Sequence, residues 1–220
     1  NQQEFGVDCG GPCAACELKN PKPVSIFWAR AVPVRENSYD VAAQIRNANE
    51  ILGAPRLEYE FTLFDELGPV ARKTGTTFLL PQETVTLVDV GLETTREPIR
   101  VEFRILNLEW QVREDQGPSL VVEKRDYRVE EDGEKRRSVI ETSIFNSSPY
   151  DFREGEVLFA ALDKEGNLVA ANRVYIENIR SNSRQVVKAI WPEEISGDVS
   201  RIEIKARVNI FNPNVILKPQ

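Results

Sequence analysis

The chain has 220 residues, and its 28 Lys and Arg against 35 Asp and Glu give a net charge of −7 with both signs interleaved. This balance argues against nucleic acid as a partner, because phosphate binding needs a basic face. The sequence contains no His, which excludes Ser-His and Cys-His nucleophilic systems and His-ligated metal sites.

No apolar run reaches the roughly 18 to 20 residues that a membrane-spanning helix needs. We therefore expect no membrane contact by these residues. The chain begins at Asn1, without Met, in a polar segment, and we expect a signal peptide or membrane anchor upstream of it.

Residues 1–20 are a distinct Cys-rich segment that holds all three cysteines, Cys9, Cys13 and Cys16. A short segment dense in Gly, Pro and Cys usually needs covalent staples, so we expect these residues to be disulfide candidates in an oxidising compartment. One thiol is then free or pairs outside the chain. The spacing also fits iron–sulfur ligands, or zinc with a fourth ligand. Both are disfavoured, because an all-β chain follows and no fourth ligand is visible.

Alternating apolar residues predict β-strands through the rest of the chain. The clearest strands are Ile99–Ile105 and Ile202–Val208, where apolar residues alternate with charges. We expect the apolar face to point inward and the charged face, which includes Arg207, to carry paired charges that discourage edge association. Leu106 to Val112 alternate in the opposite phase, which predicts a bulge or bend near Ile105 and Leu106.

One string occurs twice. Phe61–Gly68 (FTLFDELG) returns as Phe159–Gly166 (FAALDKEG), 98 residues later (159 minus 61). Such a period predicts two units, each the size of an immunoglobulin-like sandwich. The sequence therefore predicts an all-β fold of two tandem immunoglobulin-like or fibronectin-like antiparallel β-sandwiches. Residues 21–114 form the first sandwich and 115–220 the second, after the Cys-rich segment.

Seven residues of the two copies are expected to be structural: Phe61, Leu63, Asp65, Gly68, Phe159, Asp163 and Gly166. The apolar side chains point to one side of a strand and fill the space between two sheets. Each Asp begins a turn by hydrogen-bonding the backbone that follows, and each Gly supplies a positive φ. A metal-ligand role for the Asp residues is disfavoured, because no second carboxylate is placed consistently in both copies.

Trp110 lies just before Asp115-Gln116-Gly117-Pro118, which has the composition of a domain boundary. We expect Trp110 to seal the contact between the two domains, with an exposed binding aromatic as the alternative.

Two stretches resemble known families. Asn1–Cys16 (NQQEFGVDCGGPCAAC) resembles a cysteine module of bacterial surface proteins, in which an earlier Cys, missing here, precedes VDCGGxCxxC. The resemblance implies two disulfides in the complete module and, in many such proteins, a preceding membrane helix.

Phe61–Asp65 (FTLFD) is similar to the FxLYD motif of small immunoglobulin-like domains in prokaryotic envelope proteins. The second copy departs further, with Ala161 and Leu162 in the Leu and Tyr positions. Neither motif specifies an activity.

The sequence predicts a non-catalytic, extracytoplasmic module that is structural or binds proteins, without a cofactor. We expect it at the cell surface, in the periplasm or among secreted proteins, and we expect its precursor to be membrane-tethered. Its expected partners are other envelope or surface proteins, or itself. An enzyme ranks last, because no GxSxG elbow or phosphate loop is present and Glu193-Glu194 fits a surface turn better than a glycosidase pair.

Two alternatives remain. The first is a subunit of an extracellular filament or surface layer, whose edge strands accept an extended segment such as residues 1–20 or Asn212–Leu217. The second is a carbohydrate-binding module that uses Trp28, Trp110 or Trp191.

Overall fold

The computed structural model describes residues 16–113, 117–133 and 135–217. Cys9 and Cys13 lie outside this part of the chain. The first half contains α1 (Cys16–Lys19), β1 (Ser25–Arg35), β2 (Ser38–Arg46), β3 (Leu52–Asp65), β4 (Gly68–Leu79), β5 (Thr84–Glu93), β6 (Arg100–Leu108) and β7 (Gln111–Val112). The second half contains β8 (Leu120–Asp132), β9 (Lys135–Asn146), β10 (Asp151–Leu162), β11 (Leu168–Ile179), β12 (Ser183–Trp191), β13 (Arg201–Arg207) and β14 (Ile216–Leu217).

The strands form four antiparallel sheets, two in each half. In the first sandwich, β1-β2-β5 is one sheet and β4-β3-β6 is the other, with β7 paired to β3. In the second sandwich, β8-β9-β12 and β11-β10-β13 repeat this order strand for strand, and β14 pairs with β10 as β7 does with β3. The predicted all-β fold of tandem sandwiches is confirmed. The predicted division at 114/115 falls between β7 and β8 and stays a prediction.

The predicted bulge in β6 is present. Glu58 of β3 lies opposite Asn107 and Tyr59 lies opposite Ile105, so Leu106 has no partner. Its side chain is exposed. The extra residue reverses the alternation, which explains why the apolar phase of the sequence changes at this point.

The two sandwiches are stacked face to face. The β1-β2-β5 sheet of the first packs against the β11-β10-β13 sheet of the second, and we call this contact the junction. Leu158, Ala160 and Leu162 of β10 belong to the hydrophobic cluster of the first sandwich, whereas Phe159 and Ala161 belong to the cluster of the second. Strand β10 is apolar on both faces because both faces are buried.

The outer faces of the stack are different. Ala42 and Val88 pair across β2 and β5 at the junction, while the corresponding pair across β9 and β12 is Glu141 and Lys188. Lys188 Nζ lies 3.4 Å from Glu141 Oε2. An ion pair therefore occupies, on an outer face, the place of an apolar pair at the junction.

Candidate functional site

The repeated string lies where β3 and β10 end. Phe61 and Leu63 are buried in the first cluster, and Phe159 is buried in the second. Asp65 Oδ1 accepts hydrogen bonds of 2.9 Å from the backbone N–H groups of Leu67 and Gly68. Its side chain is thus committed to the turn.

The second copy forms a related turn. Asp163 Oδ1 accepts a 2.7 Å hydrogen bond from the backbone N–H of Asn167, and Asn167 Nδ2 donates to Asp163 Oδ2 at 2.9 Å. The side-chain hydrogen bond from Asn167 holds the pKa of Asp163 below its ordinary value. Gly68 and Gly166 have φ of 134° and 80°, a region that side chains disfavour. Both Asp residues therefore have local hydrogen-bond partners.

The most unusual side chain at the junction is Arg207, the last residue of β13, which has 0% of its side chain exposed. Its Nε and Nη2 donate to the two carboxylate oxygens of Glu83 at 2.9 and 3.1 Å. Its Nη1 donates to Glu156 Oε1 at 2.8 Å. Because Glu83 belongs to the first sandwich and Glu156 to the second, this network crosses the junction. The expectation that Arg207 lies on a charged outer face is wrong, because the side chain is enclosed at the junction.

The remaining donors of Arg207 are also used. Nη2 donates to the carbonyl oxygen of Phe78 at 2.6 Å, and Nη1 to Thr77 Oγ1 at 3.3 Å. The guanidinium carbon lies 4.0 Å from the centre of the Phe78 ring. Burial acts to lower the pKa of Arg207, but the charges of Glu83 and Glu156 raise it overall. A buried charge persists only with such complete pairing.

A second network crosses the junction at Asp89. This buried carboxylate accepts a 2.7 Å hydrogen bond from the Tyr59 hydroxyl and a 2.9 Å hydrogen bond from Arg173 Nη2. Tyr59 lies in the first core and Arg173 on β11 of the second sandwich. Burial, together with the charge of Asp89, raises the pKa of Tyr59 above its ordinary value. The tyrosine therefore stays protonated and donates its hydroxyl hydrogen.

A cavity of about 590 Å³ opens beside Arg207, with walls from both sandwiches. The first sandwich contributes Pro55 and Arg56, and the second contributes Glu154, Tyr175 and Glu177. Glu154 and Glu177 are cross-strand partners. The lining of the cavity combines these charged side chains with apolar ones, such as Phe78, Ile176 and Val215. Among the described residues, no group of three His, Cys, Asp or Glu is placed to hold a metal ion.

The three tryptophans lie in different surroundings. Trp191 is buried and its Nε1 donates to the carbonyl oxygen of Ala171 at 3.1 Å, which withdraws it from sugar binding. Trp28 is half-buried against the first cluster. Trp110 is half-buried between β6 and β7. The junction contacts described above come from other residues, so a sealing role for Trp110 stays a prediction.

The C-terminal tail is used within its own chain. Ile216 and Leu217 pair with Phe152 and Asp151 of β10. The candidate donor segment Asn212–Leu217 thus pairs within its own chain, and its donation to a neighbouring subunit stays a prediction.

Of the described helices, none is long and apolar enough to cross a membrane. The chain matches no protein-family model, and no curated protein is significantly similar to it.

Proposed function

We propose that the chain is a non-catalytic structural or protein-interaction module of an extracytoplasmic protein that is membrane-tethered in its precursor. The observation that supports this proposal is the junction itself. Interfaces between mobile domains are usually modest and polar. Here apolar side chains are packed across the contact, and Arg207 joins Glu83 to Glu156 in its interior. Such a junction holds two sandwiches in one orientation, as a scaffold requires.

The location rests on the Cys-rich segment. The end of that segment is fixed to the first sandwich, because the Glu17 carboxylate of α1 accepts backbone hydrogen bonds from Glu50 at 2.8 Å and Ile51 at 2.9 Å. If the segment upstream of β1 is anchored in a membrane, this contact would hold both sandwiches at the membrane surface. Cysteines in such a segment are stable as disulfides only outside a reducing cytosol.

Surface labelling tests the location. Intact cells that produce the natural protein are treated with a membrane-impermeant biotin reagent, and a cytoplasmic enzyme serves as the control. We expect the protein to be labelled and the control to be unlabelled. Labelling only after lysis would contradict an exposed location.

Thiol alkylation followed by mass spectrometry tests the same proposal at Cys9, Cys13 and Cys16. In protein freshly isolated from its natural compartment, we expect at most one alkylated thiol before reduction. Three free thiols would contradict an oxidising compartment.

A further inference from the structure

Strand β13 forms one edge of its sheet. It pairs with β10 from Arg201 to Arg207, and on its other side no strand within the described ranges is paired to it. An edge strand presents a row of unpaired backbone N–H and C=O groups, which is a template for another extended chain. The neighbouring strand β8 is also paired on one side only, to β9.

A groove of about 410 Å³ runs beside this edge. Its apolar walls come from β8, through Leu120 and Val122, and from the loop before β5, through Leu80 and Pro81. Apolar walls next to an unpaired strand edge can accept the side chains of an added strand, which alternate between its two faces. The groove thus supplies both backbone pairing and side-chain contacts.

The groove is also positively charged. Arg125 and Lys205 line it, both are exposed, and neither has an ion-pair partner in the described part of the chain. The corresponding strand of the first sandwich, β6, is different. Arg104 occupies the position of Lys205, and its Nη2 lies 2.8 Å from Glu102 Oε2, so this cation is paired. Cations without an ion-pair partner therefore lie at this edge of the second sandwich, whereas the equivalent cation of the first sandwich is paired.

We propose that β13 binds an extended acidic segment of a partner protein by strand addition, with carboxylates of that segment paired to Arg125 and Lys205. This inference deepens the proposed interaction function and rests on it. The bound segment is acidic because its charges must complement the two cations. Its acidic residues alternate with apolar residues because the groove walls are apolar.

The probe is a fluorescein-labelled peptide of four Val-Glu repeats, measured by fluorescence anisotropy with the whole chain. Two control peptides accompany it: four Val-Lys repeats, and the Val-Glu peptide with alternate backbone amides methylated. We expect binding of the Val-Glu peptide alone. Equal binding of the methylated peptide would overturn strand addition. Absence of binding by the Val-Glu peptide would also overturn the proposal, and Arg125 and Lys205 would then be charges that protect the strand edge from association.

The double variant Arg125→Glu/Lys205→Glu should weaken binding by about tenfold or more, since it turns two attractions into repulsions. Its matched control is Arg104→Glu on β6, which should bind as the unmodified chain does. Both sites are exposed, and thermal unfolding checks that each variant folds. Unchanged affinity of the double variant would overturn the proposal.

Hydrogen exchange locates the contact. We expect the peptide to slow amide exchange in residues 201–207 and not in residues 100–108. Equal protection of both strands would contradict the assignment. If sedimentation shows a dimer without peptide, and the double variant abolishes that dimer, the edge binds a second copy of this chain and the proposal of a separate acidic partner is overturned. Surface labelling is independent of all these readouts, so loss of this inference is distinguishable from loss of the proposed function.

Discussion

Asn47 and Asn146 make the same hydrogen bonds in the two sandwiches. Each is fully buried, Asn47 directly after β2 and Asn146 as the last residue of β9. Asn47 Nδ2 donates to the carbonyl oxygen of Leu80 at 2.9 Å, and Asn146 Nδ2 donates to that of Ile179 at 3.2 Å. Each Nδ2 also donates to a backbone carbonyl oxygen at or just before the start of the third strand, that of Leu52 or Tyr150. Each Asn thereby connects the start of the third strand of its repeat to the end of the fourth.

We expect Asn47→Ala and Asn146→Ala each to lower the free energy of unfolding by about 2 to 4 kcal/mol, because buried carbonyl groups lose their donors. Urea denaturation measures the change. Asn214→Ala, at an exposed position, is the control and should have little effect. Similar stabilities of all three variants would show that the buried Asn side chains are dispensable.

The Arg207 network predicts a strongly asymmetric response to mutation. Arg207→Met leaves Glu83 and Glu156 buried without their cation, and we expect a loss of about 3 to 5 kcal/mol in the free energy of unfolding. The triple variant Arg207→Met/Glu83→Gln/Glu156→Gln removes the stranded charges and should recover much of that loss. Chemical denaturation compares the two. A triple variant less stable than the single one would show that the buried, unpaired carboxylates are not the cause of the loss.

The shared cluster at the junction predicts that both sandwiches unfold together. Leu158, Ala160 and Leu162 lie in the core of the other sandwich, so separation would expose them to water. Calorimetry should show one transition for the intact chain. Leu158→Glu should split it into two, whereas Val186→Glu, on an outer face where Val186 is 61% exposed, should not. Two transitions in the unmodified chain would contradict this coupling.

Asp40 predicts a dependence of stability on pH. Burial raises the pKa of its carboxyl from 3.8 to about 6, although the backbone N–H of Gly91 donates to Oδ1 and opposes the rise. A raised folded pKa means that this contribution to stability is full below about pH 4 and is lost as pH rises through about 6. At 1.36 kcal/mol per pH unit, the loss at pH 7 is at most about 3 kcal/mol.

Asp40→Asn keeps the acceptor for Gly91 and removes the charge. We expect this variant to gain stability over the unmodified chain as the pH rises from 4 to 7, measured by urea denaturation at each pH. Asp198→Asn, at an exposed position, is the control. A stability difference that stays constant across this range would argue against titration of Asp40.

Local patterns predicted the elements well. The change of alternation at Leu106 identified the bulge, and the repeated string identified the duplicated sandwich, because strand faces and turns are encoded by neighbouring residues. The face-to-face stack was missed although the sequence held evidence for it. Val157–Leu162 is an uninterrupted apolar run, and such a run indicates a strand that is buried on both faces.

The sequence by itself determined the pleat, the turns and the repetition, since each depends on contacts between residues close in the chain. Only the tertiary structure decided the fate of the charges on β13. Arg207 and Lys205 share one face of that strand, yet Arg207 is enclosed and Lys205 is exposed. The difference arises because Glu83, distant in the chain, lies against Arg207, and alternation within a strand carries no information about what another domain places there.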